Sequence, residues 1–98
     1  MKTIYKYPLV LNDEVEVYMP EGAEILHVRV QGACEDVYVW ALIDLKAPMS
    51  FRRFEVYGTG HPVKDIAEHS GGRKYIGTVM LQGGSLVYHI FDLGFKGT

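Results

Sequence analysis

A chain of 98 residues with 48% hydrophobic and 22% charged side chains fits one domain with one core over residues 1–98, since a chain of this length buries roughly 65% of the surface it exposes when unfolded. The formal net charge of −2 counts against non-specific binding to nucleic acid or to an anionic membrane, which need many Lys and Arg contacts. A single cysteine, Cys34, excludes an internal disulfide and a thiolate metal cluster, and the absence of a long apolar run or signal-like leader gives a cytoplasmic protein as the expectation.

Residues 3–11 are rich in aromatic and branched side chains and predict a first strand, with Pro8 placing it at a sheet edge or at a bend. After Asn12-Asp13, acidic and apolar residues alternate from Glu14 to Met19, the period of a half-exposed strand. The two segments are expected to form a hairpin. Pro20-Glu21-Gly22 makes a tight reversal. A third strand runs from Glu24 to Gln31 with Leu26, Val28 and Val30 on one face, and His27 facing solvent.

Val37 to Ile43 is apolar on both faces, which predicts a central strand covered on both sides, with Trp40 as the largest contributor to the core. Phe51 to Tyr57 resumes the two-residue alternation. Gly60 to Lys74 reads as a long loop, with room for one helical turn at Val63 to Glu68, and loops of that length are often functional. Lys74 to Leu81 and Leu86 to Leu93 form a hairpin across Gln82-Gly83-Gly84-Ser85. Gly77 inside the first of these strands signals a bulge or a close backbone approach, and the tail from Gly94 reads as loose. Seven strands and no amphipathic helix of normal length give the fold class: all-β, a small antiparallel β-sandwich or partly open barrel.

Residues 1–49 hold four of the ten basic and eight of the twelve acidic side chains, so the second half is relatively basic. Its cations bracket Tyr57-Gly58-Thr59-Gly60-His61-Pro62, where packing alone does not account for the residue types. Glycines let successive amides converge on an anion, and the Thr59 hydroxyl and the His61 ring both donate hydrogen bonds. Ser70 to Lys74 supplies a second wall, in which Arg73 and Lys74 are the anion-pairing cations. The candidate ligand site is therefore Gly58, Thr59, Gly60, His61, Arg73 and Lys74, with Tyr57 and Tyr75 as aromatic contacts. No phosphate-loop or dinucleotide-binding motif accompanies it.

No cofactor is expected. His27, His61, His69 and His89 lack short ligand spacing, so no metal site is expected either. No strained Gly-x-Ser-x-Gly turn is present, and catalysis rests at most on His61 as acid or base, with Asp65 as its partner. The seven tyrosines suit protein interfaces or base stacking, and cross-strand packing also accounts for them.

Tyr5 to Leu9, Met19 to Leu26, Trp40 to Asp44, Gly58 to Pro62, Tyr75 to Thr78 and Leu86 to Phe91 together resemble a family of small uncharacterised proteins of bacterial viruses and prophages. The resemblance spans most of the chain, departs from the family pattern at Asp65 to Gly72, and transfers no catalytic residue. It implies an accessory protein working in the host bacterial cytoplasm against host machinery or antiviral defence. The reading that results is a non-enzymatic, homo-oligomeric binding protein that antagonises a host defence, by binding a host protein or by sequestering a small anionic, nucleotide-like ligand. The alternatives are a small hydrolase or isomerase using His61, and a structural component of the virus particle.

Overall fold

Two-residue alternation of apolar and polar side chains organises the molecule, because a strand with that pattern buries one face only. In the computed structural model, which describes residues 1–64 and 72–96, seven strands form: β1 (Lys2–Pro8), β2 (Glu14–Pro20), β3 (Glu24–Gln31), β4 (Asp36–Asp44), β5 (Met49–Gly58), β6 (Lys74–Leu81) and β7 (Leu86–Phe95). They make two antiparallel sheets, β1-β4-β3 and β2-β5-β7-β6, stacked as an open sandwich. The helical turn expected at Val63 to Glu68 falls largely outside the described residues.

The core lies between the sheets. Val37, Val39, Ala41 and Ile43 of β4 point inward and meet Met19 of β2, Phe54 and Val56 of β5, Val79 of β6 and Ile90 of β7. Phe54, Met19 and Ile43 are the largest fully buried side chains. Truncating Phe54 to alanine removes about 3–5 kcal/mol. Gln82–Gly84 forms the 3-10 turn that closes the β6–β7 hairpin, with Gly83 and Gly84 at positive φ.

Four expectations are corrected. First, β1 and β2 are not a hairpin: β1 pairs with β4 and β2 with β5. Leu9 is buried and donates its amide to the Val37 carbonyl at 2.9 Å, so the chain continues along β4 before crossing to the other sheet. Second, the face assignment at the start of β3 is inverted by a β-bulge between Ile25 and His27. Ile25 packs on the core while Leu26 is 43% exposed. Third, β7 continues to Phe95, and Lys96 donates to the Phe51 carbonyl at 2.7 Å, so the segment after Gly94 is tied to the sheet.

The fourth correction concerns Trp40. It lies on the outer face of β4 with Tyr38 and Leu42, all three only partly buried. The apolar character of both faces of β4 is real, but the second sheet covers one of them. β1 is more exposed still. Ile4 and Tyr5 are consecutive, so they point to opposite faces, and they are 55% and 48% exposed; on the inner face only Thr3 and Tyr7 are partly buried, Tyr7 by packing on the core.

Candidate functional site

At one end of the sandwich β5 runs out at Gly58, and the chain reverses through Thr59 and Gly60 so that the His61 amide donates to the Gly58 carbonyl at 3.1 Å. Gly60 takes φ = 86°, a conformation that a side chain would disfavour and that glycine supplies without strain. The His61 ring then lies against Gly58. A Cβ built there would come within 2.8 Å of both Cε1 and Nδ1, so the glycine makes room for the imidazole.

This reversal stands as a ridge between two hollows. The larger, of about 470 Å³, is floored by Val56, Tyr57 and Tyr88, with Gly58, His61, Pro62 and Lys64 on one side and Leu11, Asn12 and Asp13 on the other. The smaller, of about 200 Å³, lies towards Ser85–Tyr88. The opposite wall of the main cleft is thus the β1–β2 crossing, a segment that sequence reasoning did not connect with the ridge. Lys64 bridges towards that wall, its Nζ 3.5 Å from Glu14 Oε1.

Thr59 is oriented away from the role assigned to it. Its amide donates to the Val87 carbonyl at 3.2 Å, and its hydroxyl lies 2.8 Å from His89 Nε2. His89 Nδ1 is 3.0 Å from Thr78 Oγ1, which is 2.5 Å from the Tyr75 hydroxyl. The four side chains form a continuous hydrogen-bonded row across β7 and β6. Thr78 and His89 are cross-strand partners on the outer face of the four-stranded sheet, which brings the middle of the row together.

Arg73 and Lys74 diverge, as neighbours on an extended chain must. Arg73 lies over the outer face, where its Nε donates to Glu55 Oε1 at 2.6 Å and its terminal nitrogen to the Lys64 carbonyl at 2.8 Å. The guanidinium sits 5.7 Å from the Tyr57 ring centre and 5.8 Å from that of Phe91. Lys74 instead borders a different cleft, lined also by Gly22, Arg52 and Asp92. Ser70, Gly71, Asp65 and His69, which the sequence reading placed around the same site, lie outside the described residues.

Glu55 is the functional-looking residue that sequence reasoning missed. Alternation puts it on the outer face of β5, yet it is fully buried, capped by Arg73 and by the Tyr57 hydroxyl, which donates to Oε2 at 2.8 Å. Burial, followed by the bond to the Glu55 carboxylate, raises the Tyr57 pKa, and the same carboxylate raises that of Arg73. The carboxylate therefore neutralises the strongest cation near the cleft. A signal was available in the sequence, namely a lone acidic residue inside the apolar run Phe54-Glu55-Val56-Tyr57.

Chemically, the His61 imidazole is exposed and makes no side-chain hydrogen bond among the described residues. The ring borders the cleft, with Nδ1 and Cε1 against Gly58, and no side chain among the described residues orients it. His89, by contrast, is held by hydroxyls on both nitrogens. Among the described residues no three His, Cys, Asp or Glu side chains cluster as a metal site would require, and no helix is long and apolar enough to cross a membrane.

No curated protein and no solved structure matches the chain. Residues 1–96 match a family model described as a domain of unknown function, DUF7352, and the chain belongs to that family.

Proposed function

We propose that the protein is a non-enzymatic binding protein whose end cleft takes a small anionic, nucleotide-like group against His61, Asn12 and Lys64. The observation that carries this reading is the His61 ring, seated on Gly58, exposed on the cleft and without a hydrogen-bond partner of its own among the described residues. A general base is usually oriented by a third group, whereas a binding imidazole needs only access and a donor nitrogen. The Gly60 amide on the same ridge supports the anionic class. Arg73 contributes indirectly here, through Tyr57, because its charge is matched by Glu55.

The resemblance to small proteins of bacterial viruses supports a host signalling molecule as the ligand, with its sequestration as the means of blocking a host defence. Isothermal titration with a panel of mono- and cyclic nucleotides tests the reading. Binding without turnover that is lost in His61→Ala supports it, and chemical conversion of the ligand would replace it with the hydrolase alternative.

A second reading has its own observation. Tyr18, Met49 and Phe51 are 53%, 45% and 45% exposed at the β2 edge, with the Tyr18 and Phe51 rings 4.9 Å apart. Clustered exposed aromatics mark protein contacts, which favours a host protein or a second copy of the chain at that edge.

A further inference from the structure

The outer face of the three-stranded sheet, remote from the end cleft, carries an arrangement that the core does not require. A central strand with one uncovered face ordinarily alternates apolar inward with polar outward. β4 instead shows Tyr38 and Trp40 outward, their ring centres 6.2 Å apart. Strand register sets what stands beside them. Trp40 is opposite Lys6 on one side and His27 on the other, and Tyr38 is opposite Pro8 and Arg29. The carboxylates of Asp36 and Asp44 fall at the two ends of the strand.

We infer that this face binds single-stranded nucleic acid, with successive bases stacked on Trp40 and Tyr38 and phosphates taken by Lys6 and Arg29. Two partly exposed rings at i and i+2, inclined to each other at 63° so that they suit splayed bases rather than one continuous stack, with cations on both neighbouring strands, match what unpaired bases and their phosphates require. The charge complementarity is local, confined to the rows of the two rings, while the whole chain is at −2. A duplex hides its base faces and offers mainly phosphate, so it is a poor ligand for this surface. In the free protein Lys6 Nζ lies 4.3 Å from the Tyr38 ring centre and donates to Gln31 Oε1 at 2.8 Å. A base that stacks on Tyr38 takes that place, and the ammonium turns to the adjoining phosphate.

Trp40 is the only tryptophan, so its intrinsic fluorescence reports directly on the proposed stack. The full chain is titrated at low salt with a labelled oligo-deoxythymidine of about 12 nucleotides and with a duplex of the same length, read by tryptophan quenching and by anisotropy. The expected result is quenching by the single strand alone, with a salt slope of about −1.4 in log K against log salt for two phosphate contacts. Trp40→Leu and Tyr38→Ala should each weaken binding by roughly 5- to 150-fold, the range for losing one stacked base. Trp40→Phe should keep most of the affinity, and His61→Ala all of it. Circular dichroism of each variant separates loss of binding from loss of fold. Equal binding of duplex and single strand, binding that survives in folded Trp40→Leu, or no binding with Trp40 shielded only by self-association at high concentration would each overturn the proposal. The last outcome would assign the face to a protein contact.

Discussion

A Cβ placed on Gly77 would lie 2.4 Å from Cγ1 of Val28, so at this point the β6 backbone and a β3 side chain occupy adjoining space with no room for a methyl group. The contact joins the two sheets where their edges approach, and the register shift between Tyr75 and Gly77 brings the glycine to it. Gly77→Ala is expected to cost about 1–3 kcal/mol, the usual range for overpacking. Adding Val28→Ala should recover part of that loss, although the valine truncation is destabilising by itself. Urea denaturation of the two single variants and the double variant measures the coupling, which should be favourable by more than the scatter expected for independent sites.

Arg52 and Asp92 form the second long-range tie. The pair is bidentate, with Nε to Oδ1 at 3.0 Å and the terminal nitrogen to Oδ2 at 2.6 Å, and Asp92 also accepts from the Gly94 amide. Arg52 further donates to the Ala23 carbonyl, which ties β5 to the turn before β3. Both side chains are largely buried, so removing one leaves the other poorly solvated. Arg52→Ala should cost about 3–5 kcal/mol. Replacing both members by apolar residues of similar volume should cost markedly less, as measured by thermal or urea unfolding, because no charge is then stranded.

Much of this architecture is legible in the chain. Phe54 and Val56, separated by polar neighbours, announce the inner face of β5, and the glycine pair after Gln82 announces the last hairpin. What escapes is whatever depends on distant segments. The short Asn12-Asp13 connection has the local chemistry of a hairpin turn, and only the pairing of β1 with β4 makes it a crossing between sheets. Trp40 sits in an apolar run that a buried strand would also have; whether a face is covered is a property of the other sheet. Glu55 alternates as an exposed residue, and it is buried because Arg73 returns over it. The Gly58–His61 reversal was readable, while its facing wall at Leu11–Asp13 was not.

The tyrosine hydroxyl over Glu55 gives the protein an alkaline limit. Burial, and then the Glu55 carboxylate, raise the Tyr57 pKa above its ordinary value near 10. Below that value both the folded and unfolded states keep the proton, and the bond to Glu55 contributes in full. Above it the unfolded chain ionises first, so folding takes up a proton and stability falls as pH rises through the folded value. Tyr7 shifts the same way through burial and its neighbour Tyr5, and Lys64 through Glu14. Stability should therefore hold level between about pH 7 and 9 and decline beyond 10. Tyr57→Phe should be less stable at neutral pH and show a shallower alkaline decline, as followed by urea midpoints across the pH series.

Gly58 offers the sharpest test of the cleft, because it separates the position of the His61 ring from the presence of the ring. The Cβ of Gly58→Ala would collide with Cε1 and Nδ1 at 2.8 Å, but an exposed imidazole on a turn can swing aside. The stability cost should therefore stay below about 1 kcal/mol, in the range of surface substitutions. The displaced ring should appear as a change in the His61 Cε1–Hε1 chemical shifts, with those of His89 unmoved because hydroxyls hold both of its nitrogens. If the ring in its seated position binds the ligand, Gly58→Ala should weaken nucleotide binding about as much as His61→Ala. The double variant should then be no weaker than either single variant, since both changes remove the same contact. Additive losses would mean that the glycine and the histidine serve the cleft separately, and the seated imidazole would no longer account for binding.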